Sequence, residues 1–241
     1  MKLTGLVGVP CREQGRWASF GNCLDDLILP PYVDIRRATN NSVAWARNMI
    51  AHEMLDRGAE WVFFLDDDQM FKPNVLMNIL KHPEDIVIGH TLMRCFLNGE
   101  SFFRPIWSNT ELFLPPFPQR PRWDPVVEIT LEANKMMRLT SGTGGGVLVR
   151  RRVFETMPFP WWTIGQIYPD MFWEDIWFCQ EARKAGFEIW GDPDVMFGHV
   201  IPTTVWPYKD EDGNWATVLA NGFQPFLLQP WTTVKVPKVM P

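Results

Sequence analysis

Residues 61–69 read WVFFLDDDQ: five apolar side chains, three of them aromatic, run without a break into Asp66, Asp67 and Asp68. So short an apolar run, bounded by polar residues, suits a strand covered on both faces rather than one with a wet face. Such a strand belongs inside an α/β sheet, with its charged end at the carboxyl edge where ligands of open α/β sheets sit. Adjacent carboxylates repel one another, and each resists desolvation unless a cation or hydrogen-bond donors neutralise it. The run therefore marks a place where a divalent metal and a phosphate-bearing ligand can meet. A solvated charge run is the plainer alternative.

The flanking chain supplies the rest of a sheet. LTGLVGV is a strand candidate ended by Pro10, and CREQGRWASFGN behind it reads as loop. From Ser42 to Arg57, Val43, Ala46, Ile50 and Met54 form a helical stripe with Ser42 as N-cap and Gly58 as stop. A strand at 61–66 follows at once, Pro73 opens a short helix through Leu80, and DIVIGH makes another strand. This alternation predicts an α/β layer with a mostly parallel central sheet flanked by helices. From Cys95 to about Pro125, prolines and aromatics are packed too densely for regular structure, and a long surface excursion is expected there. VVEITLEANKMMRL reads as a hairpin, LTSGTGGGVLVRR as a Gly-rich turn feeding a short buried strand, and RRVFETM as one or two helical turns. WEDIWFCQEARKA is an amphipathic helix stopped by Gly186, and FEIWGDP a last core strand. The Pro- and Trp-rich tail from Val200 to Pro241 shows no clear periodicity.

The 241 residues, 46% hydrophobic and 21% charged, suffice for one large domain. A net charge of −5 lacks the overall basic footprint of a strong nucleic-acid binder, which leaves only a local basic groove open. Thirteen Trp and seventeen Phe can stack on sugar or base rings as well as fill a core. Cys11, Cys23, Cys95 and Cys179 have no CxxC pairing, in a chain too large to need disulfide staples. With no stretch of membrane-spanning length, a soluble, cytoplasmic protein is expected.

Three further groups can carry chemistry. Glu174 and Asp175 open the 173–185 helix, where acids are favoured by the backbone dipole alone; the functional alternative is a general base held ionised by the same amides. His199 follows the last strand, structural in the plain reading, or the imidazole of a mixed metal site that tilts preference from magnesium towards manganese. SGTGGG at 141–146 matches neither the phosphate loop nor GxGxxG in a strand-to-helix context, because a strand follows it. A tight turn or a close backbone approach to a ligand remains.

The order of these parts, WARN on the first long helix, FFLDDD, GTGGG with VLVRRRVFE, EDIWFCQEARKAGFEIW and then GH, resembles the GT-A class of nucleotide-sugar glycosyltransferases. It is similar to glycosyltransferase family 2 and its small bacterial and phage relatives. The resemblance implies a GT-A fold over residues 1–200, an acceptor-side excursion at 95–125 and a tail at 201–241 packing on the domain. It implies Asp66 at the nucleotide ribose and, with Asp68 and His199, as a metal ligand, and Asp67 between the two turn acids at the nucleotide. Asp175 becomes the base, with Glu174 positioning hydroxyls; Arg47 meets the nucleotide, and Pro10 to Arg12 lie where the base of the nucleotide sits. The implied cofactors are Mn2+ or Mg2+ and a nucleotide-sugar donor, UDP-linked before GDP or dTDP. The implied reaction is transfer of a sugar to an acceptor hydroxyl, with inversion.

Competing readings are a nucleotidyltransferase, which would want a Lys- or Arg-bearing Gly-rich loop near the first strand, and a non-catalytic Trp-rich carbohydrate-binding protein. The acceptor is a glycan, a polypeptide, a small molecule or a hydroxymethylated base in phage DNA. The last would need a basic stripe, for which Arg104, Arg120, Arg122 and Arg150 to Arg152 are the clustered candidates, solvated or salt-bridged arginines being the alternative. Trp161, Trp162 and Trp173 flank the acidic helix and serve either ring stacking or the core.

Overall fold

In the computed structural model, backbone is described for residues 3–11, 18–39, 42–97, 100–108, 135–163, 165–167, 170–172, 174–200, 204–209, 215–221 and 224–230, and side chains for 3–11, 18–39, 42–92, 106–108, 135–163 and 174–200. The chain runs β1 (Gly5–Cys11), α1 (Ala18–Asp25), β2 (Val33–Thr39), α2 (Val43–Asp56), β3 (Trp61–Phe64), β4 (Gln69–Phe71), α3 (Val75–Ile79), β5 (Ile86–Leu97), β6 (Glu100–Pro105), β7 (Met137–Leu139), β8 (Val147–Arg150), α4 (Arg151–Thr156), β9 (Gly165–Ile167), β10 (Asp170–Phe172), α5 (Glu174–Lys184), β11 (Ile189–His199), β12 (Thr204–Lys209), β13 (Trp215–Asn221) and β14 (Gln224–Pro230). Two compact units result, Met1–Met93 with Arg104–Val200, and Arg94–Phe103 with Ile201–Pro241.

The first unit is built on a sheet ordered β2-β1-β3-β8-β5-β11-β4, to which β7 adds on β11, while β6 pairs with β5. β2, β1, β3, β5 and β11 point one way, whereas β8 runs antiparallel to both its neighbours and β4 and β7 antiparallel to β11. The sheet is thus mixed around a mostly parallel set. The chain enters β8 from the carboxyl edge through Gly146, at φ +69°. Its amide donates to Phe64 O at 2.8 Å and its carbonyl accepts from Gly89 N at 2.9 Å, so β8 is laid down between β3 and β5.

Each side chain of β3 is buried. Val62 and Phe64 join Ile50, Met54, Phe154, Trp162 and Phe178 on the face covered by α2, α4 and α5. Phe63, with Trp61, joins Val7, Phe20, Leu76 and Phe197 on the face of α1 and α3. A strand buried on both sides loses the period-2 pattern and reads as a continuous apolar run, as expected from the sequence.

Helix α2 keeps its expected ends: Ser42 Oγ accepts from Trp45 N at 3.4 Å, and Gly58 turns the chain at φ +71°. Its buried face differs from the expected stripe. Ala46, Ile50 and Met54 are buried but Val43 is 36% exposed, while the polar Arg47 and Asn48 are 2% exposed.

Other differences have local causes. Pro10 does not end β1, which continues to Cys11: β3 stops pairing with β1 at Gly8, so residue 10 faces only β2, where a missing N–H is tolerated. Part of the expected loop behind it, Ala18–Asp25, is α1, anchored by buried Phe20 and Leu24. The start of the 95–125 segment is regular, since β5 reaches Leu97 and pairs with β6; residues 109–134, including Arg120, Arg122 and most of the expected hairpin, lie outside the described residues. The second unit holds an antiparallel sheet ordered β12-β13-β14, whose alternation is masked in the sequence by Pro207 and Pro225 within the strands. Among the described residues no helix is long and apolar enough to cross a membrane, and Cys11, Cys23 and Cys179 are in no disulfide.

Candidate functional site

The acidic turn closes on itself and on β11. Asp66 O accepts from Gln69 N at 3.2 Å, and Asp66 N donates to Gln69 Oε1 at 3.1 Å, so the first and fourth residues of the turn hold each other. Gln69 is 2% exposed and pairs in register with His199, and Val200 N donates to Asp68 O at 2.7 Å. The imidazole of His199 is thereby brought beside Asp68, with Nε2 3.7 Å from Oδ2. On its other side Nδ1 lies 3.2 Å from Leu92 O, and a carbonyl can only accept, so Nδ1 carries the proton of that bond. Nε2 is left to face the carboxylate, and the nearby Asp68 raises the imidazole pKa above its ordinary value. The 3.7 Å gap is beyond hydrogen-bond length but less than twice the ~2.1 Å typical of Mg2+ or Zn2+ ligand bonds, so one cation can touch both atoms. Among the described residues no group of three or more His, Cys, Asp or Glu is arranged to hold a metal ion.

Beside this turn lies a buried ion triad. Arg47, its side chain 3% exposed, donates through Nη1 to Glu174 Oε1 at 2.5 Å and through Nη2 to Asp66 Oδ1 at 2.8 Å. The Gly-rich segment closes over it. A Cβ on Gly144 would stand 2.4 Å from Arg47 Cζ, and one on Gly145 would stand 2.3 Å from Asp66 Oδ2. The glycines of SGTGGG are therefore needed where backbone lies flat on the guanidinium and the carboxylate, and at Gly146 by its positive φ. Burial holds the Asp66 pKa above the ordinary carboxylate range even with Arg47 beside it.

Asp175 stands next to the triad in the first turn of α5. Its Oδ1 accepts from Ile176 N at 2.7 Å. Burial, then the charge of Glu174, push its pKa up to about 6, against the opposing pull of Arg47 and the Ile176 amide. A carboxyl with a pKa near neutrality is poised to exchange a proton.

Asp66, Asp68, His199, Arg47, Glu174 and Asp175 thus gather at the carboxyl edge of the parallel strands. Asp67, between the two turn acids, is 5% exposed. Pro10 lies in β1, buried, and Arg12 lies outside the described residues, as does Trp173. Trp161 and Trp162 are core residues, 3% and 1% exposed, and Trp162 stacks on Phe178 at 4.5 Å. Asn48 sets them: its Oδ1 accepts from both Trp amides at 3.2 and 3.1 Å, and its Nδ2 donates to Trp162 O at 2.7 Å.

Arg150 to Arg152 are far from this edge in the fold. Arg150 pairs with Trp61 at the start of β3, opposite the end that carries Asp66. Its guanidinium donates to His82 O, Arg151 is bound to Glu155 and to the carbonyls of Leu55 and Ala59, and Arg152 to Asp85. These arginines hold the amino edge of the sheet together. Gln69 and Asn48 were not singled out by sequence; the position of Gln69 directly after DDD, and of Asn48 in ARN, are the only signals they leave.

No protein-family model and no curated protein matches the chain. Among solved structures it is similar to A197 from STIV, at 13% identity and a TM-score of 0.47, over 88% of this chain and 100% of that one. It is also similar to S. aureus TarS 1–349 in complex with UDP, at 14% identity and a TM-score of 0.46, over 82% of this chain and 60% of that one. For a longer S. aureus TarS structure the figures are 13% and 0.45, over 83% of this chain and 37% of that one. The chain therefore spans less than two thirds of the TarS chains it matches.

Proposed function

We propose that this protein is a metal-dependent glycosyltransferase that moves a sugar from a UDP-sugar to an acceptor hydroxyl with inversion. The observation that carries the reading is the sharing of one sheet edge by two kinds of acid. One is the Asp68–His199 pair, 3.7 Å apart and able to share a cation; the other is Asp175, poised near pH 6. A carboxylate–imidazole pair that leaves the remaining positions to phosphate oxygens and water fits Mn2+ or Mg2+. Bound there, the ion would offset charge on the departing nucleoside diphosphate.

The protein's own residues do the rest. Asp66, its side chain 27% exposed, is available to a ribose hydroxyl. Asp175 accepts the proton of the acceptor hydroxyl as that oxygen bonds to the anomeric carbon. The bond from that carbon to the diphosphate oxygen breaks on the opposite face, through an oxocarbenium-like state of the kind glycosidases use. The proposed acceptor is a glycan, with a hydroxymethylated base in DNA second; Arg150 to Arg152, three of the six arginines a basic stripe would draw on, are committed to the far edge.

Two measurements test the reading. A panel of UDP-, GDP- and dTDP-sugars incubated with the protein and Mn2+ is expected to show slow hydrolysis of a UDP-sugar by mass spectrometry; a panel left intact, with no UDP binding, counts against it. In calorimetric titration UDP is expected to bind more tightly with Mn2+ than with chelator, and equal affinity would remove Asp68 and His199 from the role of metal ligands. Since Asp175 must be ionised to take a proton and its pKa is raised, kcat/KM is expected to climb as pH rises through about 6 and to level above it. A rate independent of pH from 5 to 7 would exclude that assignment.

A further inference from the structure

The family resemblance sends Arg47 to the nucleotide and Glu174 to substrate hydroxyls, but both side chains are buried and bound to each other. Arg47 is 3% exposed and Glu174 10% exposed as side chains, and they are joined at 2.5 Å. The second terminal nitrogen of Arg47 reaches Asp66 at 2.8 Å, and the backbone at Gly144 lies against the flat guanidinium. A phosphate would have to displace a carboxylate to reach either contact. The two carboxylates come from different parts of the fold, Asp66 from the turn after β3 and Glu174 from the first residue of α5, 108 positions later in the chain. What joins them is a planar fork with two separate donor nitrogens, a geometry that a lysine ammonium cannot copy.

We infer that Arg47 is a positioning residue: it brackets Asp66 and Glu174 so that the donor-side turn and the helix start carrying Asp175 are held in register. The inference deepens the glycosyltransferase reading and rests on it for its link to turnover. Through Glu174 the bracket fixes the first turn of α5, and so the place of Asp175, whose Oδ1 also accepts from the neighbouring Ile176 amide. Through Asp66 it fixes the turn that presents Asp68. A misplacement of either acid by about 1 Å costs turnover on the order of a hundredfold.

The test is a double-mutant cycle of Arg47→Lys and Glu174→Gln, read in kcat for UDP-sugar turnover, in UDP affinity with Mn2+ and in the thermal unfolding midpoint. Each single variant is expected to lose about tenfold or more in kcat. UDP affinity should fall by a smaller factor than kcat does, since neither residue contacts the nucleotide and only the turn carrying Asp66 and Asp68 is loosened. The double variant should be no worse than the more impaired single one, because both changes cut the same link. An Arg47→Lys protein that keeps its kcat but binds UDP about tenfold more weakly overturns the bracket in favour of a nucleotide contact, and so do losses that multiply in the double variant. Should Arg47→Lys not fold, Glu174→Gln decides alone, unchanged turnover being the overturning result. If the parent protein neither binds UDP nor turns over any UDP-sugar, the glycosyltransferase reading fails by itself. The bracket is then judged from the unfolding midpoints of the same cycle, non-additive shifts supporting it and additive shifts overturning it.

Discussion

Replacing Asp175 by Asn is expected to lower sugar transfer by about 10²- to 10⁴-fold while UDP affinity in the presence of Mn2+ stays close to that of the parent. The substitution preserves shape and can still accept from the Ile176 amide, whose bond to Oδ1 is 2.7 Å long, so the start of α5 has no reason to move. What disappears is a carboxyl whose pKa is brought to about 6. Burial alone would push any carboxyl up here, and Glu174 pushes further; Arg47 and the amide hold the value low enough for the ionised form to be present at neutral pH. Steady-state rates with a fixed UDP-sugar and acceptor, beside a calorimetric UDP titration, separate proton transfer from donor binding. An Asn variant that keeps most of its rate would mean that the acceptor proton leaves by another route.

The second large effect is on stability. Arg47→Met is expected to destabilise the fold by about 3–5 kcal/mol, because Asp66 and Glu174 then share a buried site with no cation between them. For a chain of this size that corresponds to a fall in melting temperature of roughly 10 °C. Methionine fills much of the space of the arginine stem, so the loss tests charge rather than volume. Two controls sharpen it. Adding Asp66→Asn and Glu174→Gln to Arg47→Met should restore most of the melting temperature without restoring turnover, since the uncompensated charges are gone but the bracket is not rebuilt. Lowering the pH should shrink the difference between Arg47→Met and the parent, as protonation of Asp66, whose pKa burial already holds up, relieves part of the same charge. A methionine variant that melts with the parent would show that the triad contributes nothing net to folding.

The legible and illegible parts of this protein divide along physical lines. WVFFL followed by three aspartates exposes a strand buried on both faces, because continuous apolar character over so few residues has few other uses in an α/β chain. Ser42, Gly58 and Gly186 mark helix ends, since capping and left-handed turns depend on local backbone chemistry. The antiparallel course of β8 was not legible: it depends on Gly146 pairing with Phe64 and Gly89, residues more than fifty positions upstream. Nor was the burial of Arg47 and Asn48, since on an amphipathic pattern polar residues are assigned to water. The three-stranded sheet of the second unit escaped because prolines inside β12 and β14 break the alternation that reveals a strand.

The acids themselves were visible in one dimension, and so was the chemistry open to them, because the type of side chain and its place at the end of a strand or the start of a helix are local properties. Their partnerships were not. Asp66 reads as a free carboxylate until Arg47, Gln69 and Gly145 surround it; Glu174 reads as a helix-start acid until Arg47 reaches it from α2. Gly144 and Gly145 read as part of a possible ligand loop and leave the space in which Arg47 and Asp66 fit. Which carboxylate is joined to Arg47, which faces His199 and which has its pKa pushed up to about 6 is decided by burial and by distance across the sheet edge. Both exist only once the chain has folded, since charges interact through space and through the solvent around them, and not along the sequence.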